Sequence, residues 1–467
     1  MDLSRSATHA AVALVLVLVA GACSVTTPRR ETGLVDSRRG VAASAAGTDD
    51  AVLADGEALG VDGTESASGG TGTNASGARK AGATATGSGA VTGASAKGAA
   101  ATSTGPVTGV TKDTIAVSVV AGFSGPLTAM VTRAYDGVAT WQDDVNAAGG
   151  INGRKVVLKK VDHRETADGG VAACKEALSN GTLFAIVPEG VEATLTAVSC
   201  LDAAGMPTFY YSATTDPKWK VAFADIVTSA QGGRSMASYV RNGLGGAGKK
   251  VGVMYVNQAS YKAFADGLVP EAKRIGLDVA GSESVEPNQA SFTAPLLRLK
   301  NAGVQILVIS ATTDAVGILR DAKSMGWNPT FTGWGFQFDF VTAAGRNLFD
   351  GVAALRGYAT VDSPAYEKYA ARMQARGRGR NRTDDLEGFS AYGHALLTGE
   401  VIKRAGPNPT RQSVIAGAEG IKDYDNGILG PITWSASDHV GSLATFPTLC
   451  CNSDYTWKRT GPPKATY

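Results

Sequence analysis

Cysteine, histidine and aromatic residues are scarce in this chain, and so is any imbalance of charge. Of 467 residues, five are Cys and four are His, 7% are aromatic, and 18% are charged with a net of +2. A balance this close to neutral gives no electrostatic footprint for a polyanionic partner, so nucleic acid is excluded as a ligand class. His163, His394 and His439 are scattered and no two cysteines have CxxC spacing, so neither a metal site nor another cofactor is implied. No G-x-S-x-G nucleophile turn is present. After the first 20 residues no apolar stretch is long enough for a membrane-spanning helix.

What is present begins with an address. Arg5 precedes the apolar run Ala10-Ala-Val-Ala-Leu-Val-Leu-Val-Leu-Val-Ala20, too short to span a bilayer and built like the core of a signal peptide. Ala20-Gly21-Ala22 then places small residues directly before Cys23. This resembles a bacterial lipobox, with Ala20 where Leu is more usual, and it implies a signal peptide over 1–22 and lipidation of Cys23. The alternative is ordinary cleavage near Ala22 with Cys23 incidental. An extracytoplasmic, lipid-anchored location follows, and the even set Cys174, Cys200, Cys450 and Cys451 suits an oxidising compartment. Whether the adjacent Cys450 and Cys451 pair or stay reduced is left open by the sequence.

The 59 glycines concentrate early. From Cys23 to about residue 109 the chain is Ala, Gly, Ser and Thr with few large apolar groups. Such a segment buries too little surface to offset its ordering entropy and is expected to be a disordered tether. A flexible coil of this length spans about 50 Å.

Beyond Val110 the texture changes to short β-rich runs alternating with helical periods. Strands are expected at 115–120, 156–158, 183–187 and 207–211, and in a second series at 251–256, 305–309 and 330–332. The first helix carries Ala134, Val138, Trp141 and Val145 on one face and ends at Gly149-Gly150. Alternation of this kind gives an α/β fold of two doubly wound parallel-sheet lobes, with ligands expected in the crevice at the carboxyl ends of the strands.

Three further signals have plain readings. Gly243-Leu-Gly245-Gly-Ala-Gly248-Lys249 follows a helix and leads into a strand, the reverse of a phosphate loop, and reads as a helix-ending turn. Asp162-His163-Arg164-Glu165 reads as a solvated loop or helix cap. Arg372, Arg376, Arg378, Arg380 and Arg382, followed by Asp384, Asp385 and Glu387, read as a solvent-exposed loop.

Ala121-Gly-Phe-Ser-Gly-Pro126, Asp143-Asp-Val-Asn-Ala-Ala-Gly-Gly-Ile-Asn-Gly-Arg154, Ser212-Ala-Thr-Thr-Asp-Pro217 and Gly430-Pro-Ile-Thr-Trp434 resemble the type I periplasmic solute-binding proteins of the branched-chain amino-acid group. The resemblance runs from Val110 to Trp434. It implies a non-enzymatic receptor that captures a small molecule between its lobes and hands it to an ABC permease and its ATPase. A sensor domain partnered with a signalling protein is the alternative, and an enzyme on the same scaffold a distant third.

The resemblance also implies three crossings between lobes, near Ser229–Gln231, Tyr358–Asp362 and Asp425–Gly427. Lobe one is then 110–229 plus 361–425, and lobe two 231–357 plus 428–467. The family's ligand loops map onto Phe123 and Ser124, Glu189 and Gly190, and Ser212, Ala213 and Thr214 in lobe one. In lobe two they map onto Tyr261, Ala311 and Thr312, and Trp334, Gly335 and Phe336. The family's strand order brings the helices of Cys174 and Cys200 together, which implies a disulfide between them.

One departure concerns the ligand. The family usually has an acidic residue after the Gly of the segment Phe331-Thr-Gly-Trp-Gly-Phe336, where it meets an α-ammonium; here Trp334 and Gly335 stand instead. With Phe123, Tyr211 and Tyr261 also near the crevice, the expected ligand has a flat or apolar face and is not a free branched-chain amino acid. On this reading Trp334→Ala removes ligand-induced stabilisation and leaves the unliganded protein nearly unchanged.

Overall fold

The apolar run near residue 115 is a central strand. β1 (Thr114–Ala121) is buried over nearly its whole length, as a strand covered by helices on both faces must be. The structure is a computed structural model and describes residues 107–467 except 191, 212–213, 337, 382–384, 452–455 and 466. The expected signal peptide, Cys23 and nearly all of the expected tether lie outside the described residues.

From β1 the chain continues through α1 (Thr128–Ala147), β2 (Lys155–Asp162), α2 (Ala167–Ser179), β3 (Phe184–Val187), α3 (Glu192–Ala203), β4 (Thr208–Tyr210) and β5 (Ala222–Ala224). These strands form a parallel sheet in the order β2-β1-β3-β4-β5. The second series is α4 (Ser229–Asn242), β6 (Lys250–Val256), α5 (Ala259–Arg274), β7 (Asp278–Val285), α6 (Thr293–Asn301), β8 (Ile306–Ser310), α7 (Asp314–Ser324), β9 (Thr330–Trp334), α8 (Asp339–Gly345) and β10 (Ala353–Arg356). The chain then returns to the first lobe with α9 (Pro364–Ala375), α10 (Leu386–Arg404) and α11 (Arg411–Glu419), and ends with β11 (Phe446–Leu449) and β12 (Lys458–Arg459). The second sheet runs β12-β11-β10-β9-β8-β6-β7, parallel except for β11 and β12 at one edge. Two doubly wound lobes result, as expected.

The Asp-x-x-Asn-x-x-Gly-Gly segment has a structural role. Ala134, Val138 and Trp141 bury one face of α1. Asn146, near the end of that helix, accepts from the Val156 amide at 2.7 Å and donates to the Val156 carbonyl at 2.8 Å, fastening α1 to β2. Gly150 sits at φ +84, and a Cβ there would lie 2.0 Å from the Arg154 carbonyl oxygen, so only glycine fits this turn. The glycine-rich segment before β6 is likewise a turn, with Gly245 and Gly248 at positive φ.

The arginine run differs from its expectation. Arg376 and Arg378 reach back to Asp144 and Asp143 of α1 at 2.8 and 2.7 Å, and Arg380 pairs with Asp136. These cations pin the segment after α9 onto an acidic stripe of α1 rather than facing solvent alone; Arg382 lies outside the described residues.

Three passages join the lobes. Ile226 packs in the first lobe's core and Val227 in the second's; Leu355 belongs to the second and Tyr358 to the first. The third passage is later than the sequence implies. Ile428, Leu429, Ile432 and Trp434 pack in the first core, the Trp434 indole donates to the Ala224 carbonyl at 2.9 Å, and Val440 bridges Ala224. Residues 428–441 therefore extend lobe one, and the crossing falls between them and β11, because the Trp434 ring needs the aromatic bed of Phe209 and Phe223.

Cys174 on α2 and Cys200 on α3 are joined, with Cα atoms 6.0 Å apart. Cys450 and Cys451 form the second pair.

Candidate functional site

The carboxyl ends of parallel strands release their loops on one side of a sheet, and here both sheets release them toward a shared cleft. A cavity of about 370 Å³ lies there, within the roughly 300–1,000 Å³ of small-molecule sites. Lobe one lines it with Leu127, Met130, Val131 and Ala134 at the start of α1, Pro188, Glu189 and Gly190 after β3, Tyr211 after β4, and Glu387 and Ser390 of α10. Lobe two adds Ser260 and Tyr261 of α5, Thr312 and Thr313 between β8 and α7, and Trp334 at the end of β9 with Gly335 and Phe338 just after it. The passages between lobes contribute Ile226, Leu355, Arg356, Gly357 and Tyr358.

The walls are ordered by internal bonds. Tyr261 and Thr312 share a hydroxyl hydrogen bond of 2.5 Å, and the Thr312 hydroxyl also lies 2.9 Å from the Gly335 carbonyl. Gly335 has φ +93, and a Cβ there would sit 2.9 Å from the Ala311 carbonyl and 3.2 Å from the Tyr261 ring, so the loop closes on Tyr261 only with glycine. Burial pushes the Tyr261 hydroxyl above its ordinary range, which keeps it a neutral donor. On the opposite side the Tyr211 and Tyr358 rings lie 5.7 Å apart, and the Arg356 guanidinium rests 5.1 Å from the Tyr358 ring centre.

Of the expected ligand residues, Glu189, Gly190, Tyr261, Thr312, Trp334 and Gly335 come together on the cavity. Ser212, Ala213 and Cys23 lie outside the described residues. Phe123, Ser124, Thr214, Ala311 and Phe336 are not on the cavity wall. Phe123 packs edge-on against Tyr135 with the Lys160 ammonium 5.1 Å from its ring. Ser124 is spent on Asp162, its hydroxyl 2.5 Å and its amide 3.3 Å from that carboxylate. Partial burial pushes the Asp162 carboxyl up, but the hydrogen bonds from Ser124, Arg164 and Phe123 outweigh it and hold the group below its usual range. Ala311 is fully buried behind the loop, and Phe336 is fully buried against Phe349 and Trp457.

Two expectations change with this geometry. Trp334 is 8% exposed and stacks on Phe264, so only a small part of it faces the cleft and its removal must disturb the core. The loop after β2 is not fully solvated: His163 has no exposure and its Nε2 lies 2.5 Å from Glu189 Oε1. Arg356, Glu387, Met130 and Phe338 were not expected on the cavity. For Arg356 a signal existed, since it is the one charge in the apolar run 352–359 beside an expected crossing.

A match to the periplasmic binding protein family covers residues 114–446. The chain belongs to that family. Among curated relatives, a Leu/Ile/Val-binding protein homolog of Brucella melitensis is 25% identical over 334 residues, 70% of this chain and 89% of the relative. Among solved structures, a fatty acid ABC transporter substrate-binding protein from Thermomonospora curvata superposes with a TM-score of 0.66 at 19% identity, covering 77% of this chain and 94% of that one. A branched-chain amino acid ABC transporter protein from Thermus thermophilus with bound valine gives 0.65 at 17% identity, covering 76% and 97%. These periplasmic binding proteins share the fold of this chain. The family is one of extracytoplasmic solute-binding proteins, which places this chain outside the cytoplasm.

Proposed function

We propose that the protein is the capture component of an ABC-type importer, made with a signal peptide over 1–22, anchored by lipid on Cys23 and held away from the membrane by a tether reaching residue 109. Its ligand has an apolar body, a ring or a chain, and is not a free branched-chain α-amino acid. Glu189, Gly190, Tyr261, Thr312, Trp334 and Gly335, with Arg356 and the Tyr211–Tyr358 pair, are the proposed contacts.

The lining of the cleft carries this reading. Among the described residues, lobe two presents hydroxyls, rings, a glycine, Leu355 and the Arg356 guanidinium to the cavity and no carboxylate, so the family's lobe-two partner for an α-ammonium is missing; the carboxylates on the wall, Glu189 and Glu387, belong to lobe one. An ammonium placed against lobe two, beside Arg356 and with no carboxylate there, is unpartnered, which costs several kcal/mol. Opposite, Leu127, Met130, Val131, Ala134, Ile226 and Leu355 make an apolar floor, which rewards burial of CH₂ groups at about 0.8 kcal/mol each. That one structural relative is described as a fatty acid transporter's binding protein is consistent with such a floor.

The test is to purify the protein from its own membranes, release what it carries and identify it by mass spectrometry. A carbon-rich compound with a ring or chain is expected. Leucine, isoleucine or valine as the main released species overturns the ligand assignment.

A further inference from the structure

Glu189 is an acidic side chain on the wall of the lobe-one cleft, and its hydrogen bonds define its state. Its residue is 3% exposed, and Oε1 accepts from the Gly122 amide at 2.6 Å and faces His163 Nε2 at 2.5 Å. The Glu165 amide donates to His163 Nδ1 at 3.1 Å, so Nδ1 holds a lone pair and the ring's one proton is on Nε2. His163 therefore donates Nε2–H to Glu189 Oε1 and leaves Oε2 untouched. The Thr194 hydroxyl lies 3.3 Å from the same Nε2.

Oε2 of Glu189 is buried and has no hydrogen-bond partner among the described residues. Glu165 lies nearby: burial, with Glu189 and Asp162, raises its carboxyl above the ordinary range against the Leu127 amide and His163, which lower it. A buried carboxylate with one oxygen unused is costly unless something arrives to meet it.

We propose that Glu189 is the specificity-determining residue of this cleft: Oε2 takes a cationic or strongly donating group at one end of the apolar ligand, and the same charge turns away a ligand carboxylate. An α-amino acid carries its carboxylate beside its ammonium, so docking the ammonium on Oε2 also brings the carboxylate close to the Glu189 charge. This rests on the apolar-ligand reading and adds the chemistry of the ligand's polar end. His163 is a positioning residue, since it orients Glu189 without reaching the cavity wall.

The probes are n-octylamine, n-octanol and n-octanoate, titrated into the ligand-free folded protein by calorimetry. Octylamine is expected to bind at least tenfold more tightly than octanoate, with octanol between them. Glu189→Gln retains the acceptor for Gly122 and His163 and removes the charge, so it is expected to cut the octylamine-to-octanoate ratio at least tenfold. Without ligand, the same variant is expected to melt higher than wild type, because an uncompensated charge is gone. Octanoate binding as well as octylamine, or a ratio unmoved by Glu189→Gln, overturns the proposal and leaves the apolar reading standing. If leucine binds more tightly than all three octyl probes, both fall. An unliganded Glu189→Gln melting below wild type also overturns it, because the carboxylate is then compensated within the protein.

Discussion

The Trp334 ring stacks on Phe264, with centroids 5.9 Å apart and planes 24° from parallel, so one side chain serves both the core of lobe two and the edge of the cleft. Trp334→Ala is therefore expected to destabilise the unliganded protein by about 3–5 kcal/mol, the range for deleting a buried Trp. Denaturant unfolding measures this. Met130→Ala, at a half-buried position on the opposite wall, is expected to lower affinity for an apolar ligand about tenfold while changing stability by about 1 kcal/mol or less. Equal stability losses in the two variants contradict the assignment of Trp334 to the core.

The Cys174–Cys200 bond spans 26 positions between α2 and α3. Constraint of a loop this long is worth about 3 kcal/mol in the chain-entropy description. The expected outcome is a lower denaturation midpoint after replacing both residues with Ala, and a linked Cys174–Cys200 peptide pair on non-reducing mapping. Two free thiols at these positions in the exported protein contradict the pairing.

Asp385 begins α10 with Tyr369 and Tyr366 hydroxyls donating at 2.9 and 3.4 Å. Burial, the largest cause, pushes its carboxyl up to about 6, against those hydrogen bonds and Arg380. The folded value is raised above the ordinary one near 4, so its contribution to stability is fully present below about pH 4 and is lost as pH rises through about 6. The loss is up to about 3 kcal/mol. Stability measured from pH 4 to 7 is expected to fall in wild type, and Asp385→Asn is expected to flatten that part of the curve. A variant with the wild-type slope shows that another group sets it.

Much of the fold was legible because the central strands are continuous apolar runs. β1, β3, β6 and β8 are short, mostly apolar and almost wholly buried runs, the pattern of strands covered on both faces. β7 escaped notice because it is an edge strand of small and acidic residues, Asp278–Val285, with only its last position buried. β5 spans three residues, too short for any period to register. In the site, the loops after β3, β8 and β9 were readable because ligands lie at strand ends. Glu387 was not, since α10 reaches the cleft only after the chain has built lobe two and returned. Phe336 was misplaced because Gly335, at positive φ, turns the chain and directs the next ring into the core.

Cys23 lies beyond the described residues, so its role rests on Ala20-Gly21-Ala22-Cys23 following an apolar core. Metabolic labelling with a fatty-acid analogue is expected to mark the wild type, and Cys23→Ala is expected to release the protein from membranes. A processed but unlabelled wild type contradicts the anchor.

The central claim is that the cleft does not hold a free branched-chain amino acid, and calorimetry with leucine, isoleucine and valine on ligand-free wild-type protein tests it most directly. The account predicts no binding tighter than the micromolar range for any of the three. Submicromolar binding of any one of them contradicts it.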